Sequence, residues 1–245
     1  MRTSNPALSD KAFNRNWGAT QNVMTVEGTI NRTGFLLLLV IGAACWPWQL
    51  YFNGAVPGAM YPYILIGGLG GFVVAIITCF VPKISPFTTP VYAILEGLFL
   101  GAISAMYEAQ FKGIVMTSAL CTFCTLFGLL MAYKLGMIKA TPKFRRGVIA
   151  ATLCIGVVYL ISFVMNLFGM SMPYIHSSGP IGIGISVVIV IVAALNLVLD
   201  FDFIERGAGS GAPKYMEWYA AFGLVVTLVW LYIEILRLIS KLRSR

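Results

Sequence analysis

Seven apolar stretches, each bounded by proline, glycine or charged residues, dominate the chain, at about 34–52, 60–81, 88–107, 113–133, 146–168, 180–204 and 216–240. A helix rising about 1.5 Å per residue needs about 20 residues to cross a hydrocarbon layer about 30 Å thick. Each stretch exceeds about 18 residues, so each is long enough to be a span. Composition leaves no other solvent open. Of the 245 residues 59% are hydrophobic and only 11% charged, too little polar surface to clothe a water-soluble globule of this length, and the mean hydropathy is +0.86. The expected fold is an all-α, polytopic membrane helical bundle of six or seven spans, with seven preferred. It forms one membrane domain at 33–245, preceded by a polar tail at 1–32. That tail lacks the basic, apolar, small-residue order of a cleavable signal peptide, so the first apolar run is expected to stay.

The net charge of +8 would suggest nucleic acid in a soluble protein, but the basic residues sit in short loops and tails between apolar runs. That distribution is topological, and the lipid bilayer rather than nucleic acid is the implied partner. The tail holds Arg2, Lys11, Arg15 and Arg32, and the loop between spans four and five holds Lys134, Lys139, Lys143, Arg145 and Arg146. The loops around 53–59 and 169–179 hold no Lys or Arg. The N-terminus is therefore expected on the cytoplasmic side. The same rule conflicts with itself at the far end, where seven crossings leave Arg237, Lys241, Arg243 and Arg245 outside. Either the last segment enters and returns, or it packs centrally as an incomplete crossing, or the bias is overruled. The side of the C-terminus stays open.

Gly67 to Gly71 and Gly97 to Gly101 have the GxxxG spacing that lets helix backbones approach. Packing within one chain is the expected use, ahead of homodimerisation, so a monomer is favoured over a homo-oligomer. Trp46, Trp48 and Tyr51, with Tyr61 and Tyr63, flank the first loop as an aromatic belt does. Cys45, Cys79, Cys121, Cys124 and Cys154 all lie inside apolar runs, where thiols are expected to pack as small hydrophobes. Cys121 and Cys124 have CxxC spacing, but no second ligand pair accompanies them.

An ionised carboxylate at mid-bilayer costs about 2.5–3.5 kcal/mol on insertion scales, so acids inside spans need a role or a partner. Glu96 lies near the middle of the third span, Asp200 and Asp202 end the sixth, and Glu234 lies in the last. On a helix Asp200 and Asp202 point to nearly opposite sides. Asp202 and Glu205, next to Arg206, suit the solvated end of the helix, while Asp200 is deeper and is the stronger functional candidate. Glu234 has Arg237 three residues on, so an i,i+3 ion pair balances a functional role. Glu96 has no basic neighbour on its helix; it reads either as a neutral carboxyl bonded between helices or as part of an ion or proton path. The sole histidine, His176, suits a polar loop, and neither HExxH, GxSxG nor a P-loop occurs. The chain is not expected to be an enzyme, nor to hold a cofactor or a metal.

Leu195-Asn-Leu-Val-Leu-Asp200-Phe-Asp202-Phe-Ile-Glu205, followed by Tyr215-Met-Glu-Trp-Tyr-Ala-Ala-Phe and closing on Leu-Arg237-Leu-Ile, resembles the end of the Bax inhibitor-1-like, or transmembrane Bax inhibitor motif, family. Ser4-Asn-Pro-Ala-Leu8 and Leu95-Glu96-Gly97-Leu-Phe-Leu-Gly101 resemble its bacterial branch. The resemblance implies seven helices with the last one central, and a passive, pH-sensitive calcium leak, with calcium the permeant ion. It also implies a bacterial inner-membrane location. The family pattern pairs an aspartate at the end of helix six with one in helix seven. Asp200 matches the first. Alignment on Leu236-Arg237 puts Thr227 at the second, with Glu234 seven residues later on the same face. Asp200 is thus the expected gate acid, with Thr227 as hydroxyl partner and Glu96, Glu234 and Asp202 as further gating or ion-binding candidates. Two rival readings remain. One is a regulatory protein that modulates a membrane-bound protease through its tail; the other is a proton-coupled exchanger, for which no inverted repeat is visible.

Overall fold

The computed structural model describes residues 23–54, 56–169 and 179–244; the tail before Val23, His176 and Arg245 lie outside them. Seven helices follow in order: α1 (Val26–Phe52), α2 (Tyr61–Phe80), α3 (Ser85–Gln110), α4 (Ile114–Lys134), α5 (Pro142–Leu167), α6 (Pro180–Gly209) and α7 (Met216–Arg243). All seven are long and apolar enough to cross a membrane. Most begin or end within a turn of the apolar runs in the sequence. The exception is α1, which starts eight residues before its apolar run because Thr25 caps it, the hydroxyl accepting a bond from the Gly28 amide. Thr141 caps α5 in the same way, with Pro142 in the first turn. Gly113, at φ 79°, takes the left-handed conformation that lets α3 turn into α4 within three residues.

A last segment that enters and returns does not hold. α7 is one unbroken helix of 28 residues, about 42 Å long and so longer than the hydrocarbon core. Two of the four charges behind the conflict are engaged locally. Arg237 is ion-paired and Lys241 is buried inside the protein, so neither is a free loop charge that topology must place. α7 is also the most enclosed of the seven, with 56% of its apolar window buried against 11–17% for α1, α2, α4 and α5. The little-buried helices present their apolar residues outward, as lipid-facing helices do.

The chain divides into two compact units, one of residues 1–112 and 202–226, the other of 113–201 and 227–245, and α6 and α7 contribute to both. In the first unit α3 packs against α1 and α2. Both GxxxG pairs are used within the chain, as expected. A Cβ on Gly97 or Gly101 would overlap the α1 carbonyl oxygens of Val40 and Ala44, and one on Gly67 would lie 2.6 Å from the Leu95 carbonyl oxygen of α3. The Met24 amide donates to the Ala212 carbonyl at 2.6 Å, and the Ser85 hydroxyl donates to that of Tyr215 at 3.0 Å. The starts of α1 and α3 and the α6–α7 turn therefore share one end, which requires an even number of crossings between them, as seven spans provide.

In the second unit the Asn196 side chain on α6 donates to Thr152 on α5 and to the Val192 carbonyl, both at 2.8 Å. Ser118 and Thr122, buried on α4, return their hydroxyls to carbonyls four residues earlier, which satisfies them without a partner helix. The cysteines correct the packing expectation. Cys45, Cys121, Cys124 and Cys154 are exposed on helix surfaces and Cys79 is partly exposed, so four of the five thiols suit an apolar surrounding that lipid rather than protein supplies.

Candidate functional site

Asp200 is 6% exposed, in a stretch of α6 whose neighbours Leu199 and Phe201 are also buried. Its carboxyl meets the Thr227 hydroxyl of α7, so the position aligned with the family's second aspartate does face the first. Thr227 satisfies one carboxyl oxygen. The other, Oδ2, is buried with no hydrogen-bond partner in the protein. Leaving a buried acceptor unpaired costs about 1–3 kcal/mol, and more when it is charged. This is the least satisfied carboxyl of the second unit.

Glu234, 1% exposed, is placed very differently. The Tyr159 hydroxyl of α5 donates to its Oε1 at 2.7 Å, and Arg237 donates to both carboxylate oxygens at 3.0 and 3.3 Å. Arg237 also donates to the Tyr159 oxygen at 2.7 Å and lies over its ring, 5.4 Å from the centroid. The i,i+3 ion pair read from the sequence is therefore present, and Tyr159 joins it to form a triad. Nothing in α5's sequence marked Tyr159 for this part.

Lys241 is 5% exposed and donates to the Ser186 hydroxyl at 2.8 Å and to the Gly182 carbonyl at 3.1 Å, both on α6. Its position was legible in principle, since Glu234, Arg237 and Lys241 follow the spacing of one helical stripe, but it was counted as a tail charge. The pairs Asp200–Thr227 and Ser186–Lys241 are offset by the same fourteen residues in opposite directions along the two helices. α6 and α7 are thus antiparallel in constant register over about 21 Å. That register sets the fully buried Ala193 across from Glu234, a small side chain where the triad needs room.

In the first unit Glu96 bonds with Tyr92, four residues back on the same helix, rather than across helices, and its Oε2 is buried without a partner. Gly71 of α2 leaves space there, a Cβ on it lying 3.5 Å from Oε1. Asp202 forms an i,i+4 ion pair with Arg206 at 2.6 Å. Its side chain keeps 14% exposure, so it is an ion-paired helix end with little free water. The sequence missed Glu217, fully buried in the first turn of α7. Its Oε1 accepts from the Thr25 amide at 3.0 Å, the Thr25 hydroxyl at 2.9 Å and Lys214 at 3.1 Å, and its Oε2 accepts from Arg32 at 2.7 Å. Arg32 in turn stacks over Trp218, 4.7 Å from the ring centroid. Among the described residues no group of His, Cys, Asp and Glu is arranged to hold a metal ion.

Seven apolar helices, a charged stripe along the most enclosed of them and buried carboxyls with unpaired oxygens define a polytopic integral membrane protein with polar chemistry inside its spans. The chain belongs to the Bax inhibitor 1 like family, whose model matches residues 5–244. No curated protein and no solved structure matches it.

Proposed function

We propose that the protein is a passive leak for calcium in a bacterial inner membrane, needing no cofactor and opened by ionisation of Asp200. One observation carries this reading: a buried carboxyl, with one oxygen on the Thr227 hydroxyl and the other unpaired. When neutral, that carboxyl exchanges hydrogen bonds with Thr227 and holds α6 against α7. When ionised, it cannot stay unpaired in a dry interior, so a hydrated arrangement gains population and ions pass. The basic residues of the tail and of the α4–α5 loop support a cytoplasmic N-terminus. Proteoliposomes loaded with a calcium dye provide the test. Flux in the wild type should rise with pH, and Asp200→Asn should hold the low, pH-independent level. Unchanged flux and pH response in that variant would refute the gate.

A second reading has one specific observation behind it. Residues 23–25, where the tail ends, are fastened to the α6–α7 turn and to Glu217. A tail that docks on a membrane-bound protease would thereby be tied to the start of α7. Deleting residues 1–22 separates the two readings, since a leak should survive it and a tail-dependent interaction should not.

A further inference from the structure

Ser85, Thr89, Tyr92 and Glu96 follow the spacing of one face of α3. The first two are fully buried and Tyr92 nearly so. The Ser85 hydroxyl donates to the Tyr215 carbonyl at 3.0 Å, the Thr89 hydroxyl donates to the Ser85 carbonyl at 2.8 Å, and Tyr92 bonds with Glu96. The two aliphatic hydroxyls spend their protons on carbonyls and keep lone pairs that can accept from water. Ser85 opens α3, and the rise of the helix sets Glu96 about 16 Å further in, about half the thickness of a hydrocarbon core. Beyond Glu96 the same face turns apolar, at Leu100 and Ile103. The polar column therefore reaches mid-span from one end only.

Hydrogen bonding is incomplete at the inner end of this column. Glu96 Oε2 and the hydroxyl of Tyr219 on α7, a residue 1% exposed, are buried polar atoms with no hydrogen-bond partner in the protein. The first can accept and the second can donate. The Tyr92 and Tyr219 rings both pack on Phe222, with centroids 4.9 and 6.4 Å away, and Cys79 of α2 acts electrostatically on both tyrosines, so these groups form one cluster. Gly71 of α2 leaves room beside the carboxyl. α1 meets α3 on another face, at Gly97 and Gly101, where it presents Val40, Ala43 and Ala44, none of which titrates. Among the described residues, Tyr92, Tyr219 and Cys79 are thus the titratable groups of the cluster around Glu96. We propose that Glu96 is a proton-binding site reached from one side. Water enters at the end where α1 and α3 start and passes along Ser85, Thr89 and Tyr92; hydronium gives its proton to the Glu96 carboxylate at Oε2 and is left as water, which the Tyr219 hydroxyl holds. The site lies wholly in the first unit and does not depend on the leak assigned to Asp200.

The experiment uses the full chain in proteoliposomes captured by an N-terminal tag, so that the tail side faces out, with inner and outer pH set separately. Dicyclohexylcarbodiimide couples to protonated carboxyls inside a bilayer, and its adduct at Glu96 is read by mass spectrometry. The adduct should rise about tenfold as the outer pH falls through the titration of the site, and stay flat when only the inner pH changes. Thr89→Val removes one hydroxyl of the column and should slow the response to an outer pH jump severalfold; Ser85→Ala makes the same test if the first variant fails to assemble. An adduct that follows the inner pH, or both sides alike, would overturn the one-sided path, and so would an unaltered rate in both folded variants. Infrared spectra cover a carboxyl that the reagent does not reach. The protonated-carboxyl band lost in Glu96→Gln should titrate with the outer pH, and a band indifferent to pH, or no such band at any pH, would overturn the site.

Discussion

Glu217 at the start of α7 and Asp200 near the end of α6 are both buried carboxyls, and their surroundings differ in kind. Glu217 receives a backbone amide, a hydroxyl, a lysine and an arginine, so both oxygens are satisfied by donors and its charge is matched. Asp200 receives one hydroxyl and keeps an unpaired oxygen. A carboxylate fixed by two cations stabilises one arrangement and gains nothing by moving. An acid with an open valence is stable only while something else holds its environment shut. Burial alone therefore does not set a carboxyl apart; incomplete satisfaction does, and that is what the proposed gate rests on.

The comparison can be broken or sharpened by substitution. The largest effect on stability is expected for Glu217→Gln, which leaves Arg32 and Lys214 facing a neutral amide. Breaking a buried pair by removing one partner costs about 3–5 kcal/mol, so unfolding in detergent should shift strongly while any flux through the folded fraction keeps its pH profile. Loss of that profile would show that Glu217 is also part of the gate. Asp200→Asn should do the reverse, with about a tenfold fall in flux at high pH and little change in unfolding, since amide and neutral acid bond alike to a hydroxyl. Tyr159→Phe removes two hydrogen bonds from the Glu234–Arg237 triad and should cost about 1–2 kcal/mol in the same unfolding assay. Arg206→Ala, at a half-exposed side chain, should cost under about 1 kcal/mol. A large loss there would mean that the end of α6 contributes more than a surface pair.

How much of this could be read from the sequence depends on range. The seven spans, both glycine pairs and the deeper burial of Asp200 than of Asp202 follow from length, spacing and helical periodicity, which are local properties. The Glu234–Arg237 pair is local as well. Glu217 was passed over because its partners Thr25 and Arg32 lie 185–192 residues away, and only the i,i+3 relation to Lys214 hinted at a charged cluster. The same cluster explains why α1 starts before its apolar run, since Arg32 can sit in a helix once Glu217 neutralises it. Lys241 was misread because a positive-charge count treats every basic residue near a terminus as solvated, and this one is spent inside the protein. The cysteines were misread for the opposite reason: a residue in an apolar run can face lipid as readily as protein.

Gly97 and Gly101 carry a consequence for how the molecule can move. With the carbonyls of Val40 and Ala44 seated where side chains would be, α3 cannot slide or roll on α1 without driving its neighbouring side chains into the backbone of the other helix. Gly67 fixes α2 to α3 in the same manner. These three helices form a stiff plate, and any rearrangement that admits an ion has to be accommodated by side chains and helices joined through more yielding contacts. A bulky residue at either glycine would thus be an assay of rigidity: it should unseat the plate, which would be detected as lost assembly before any change in permeation is seen.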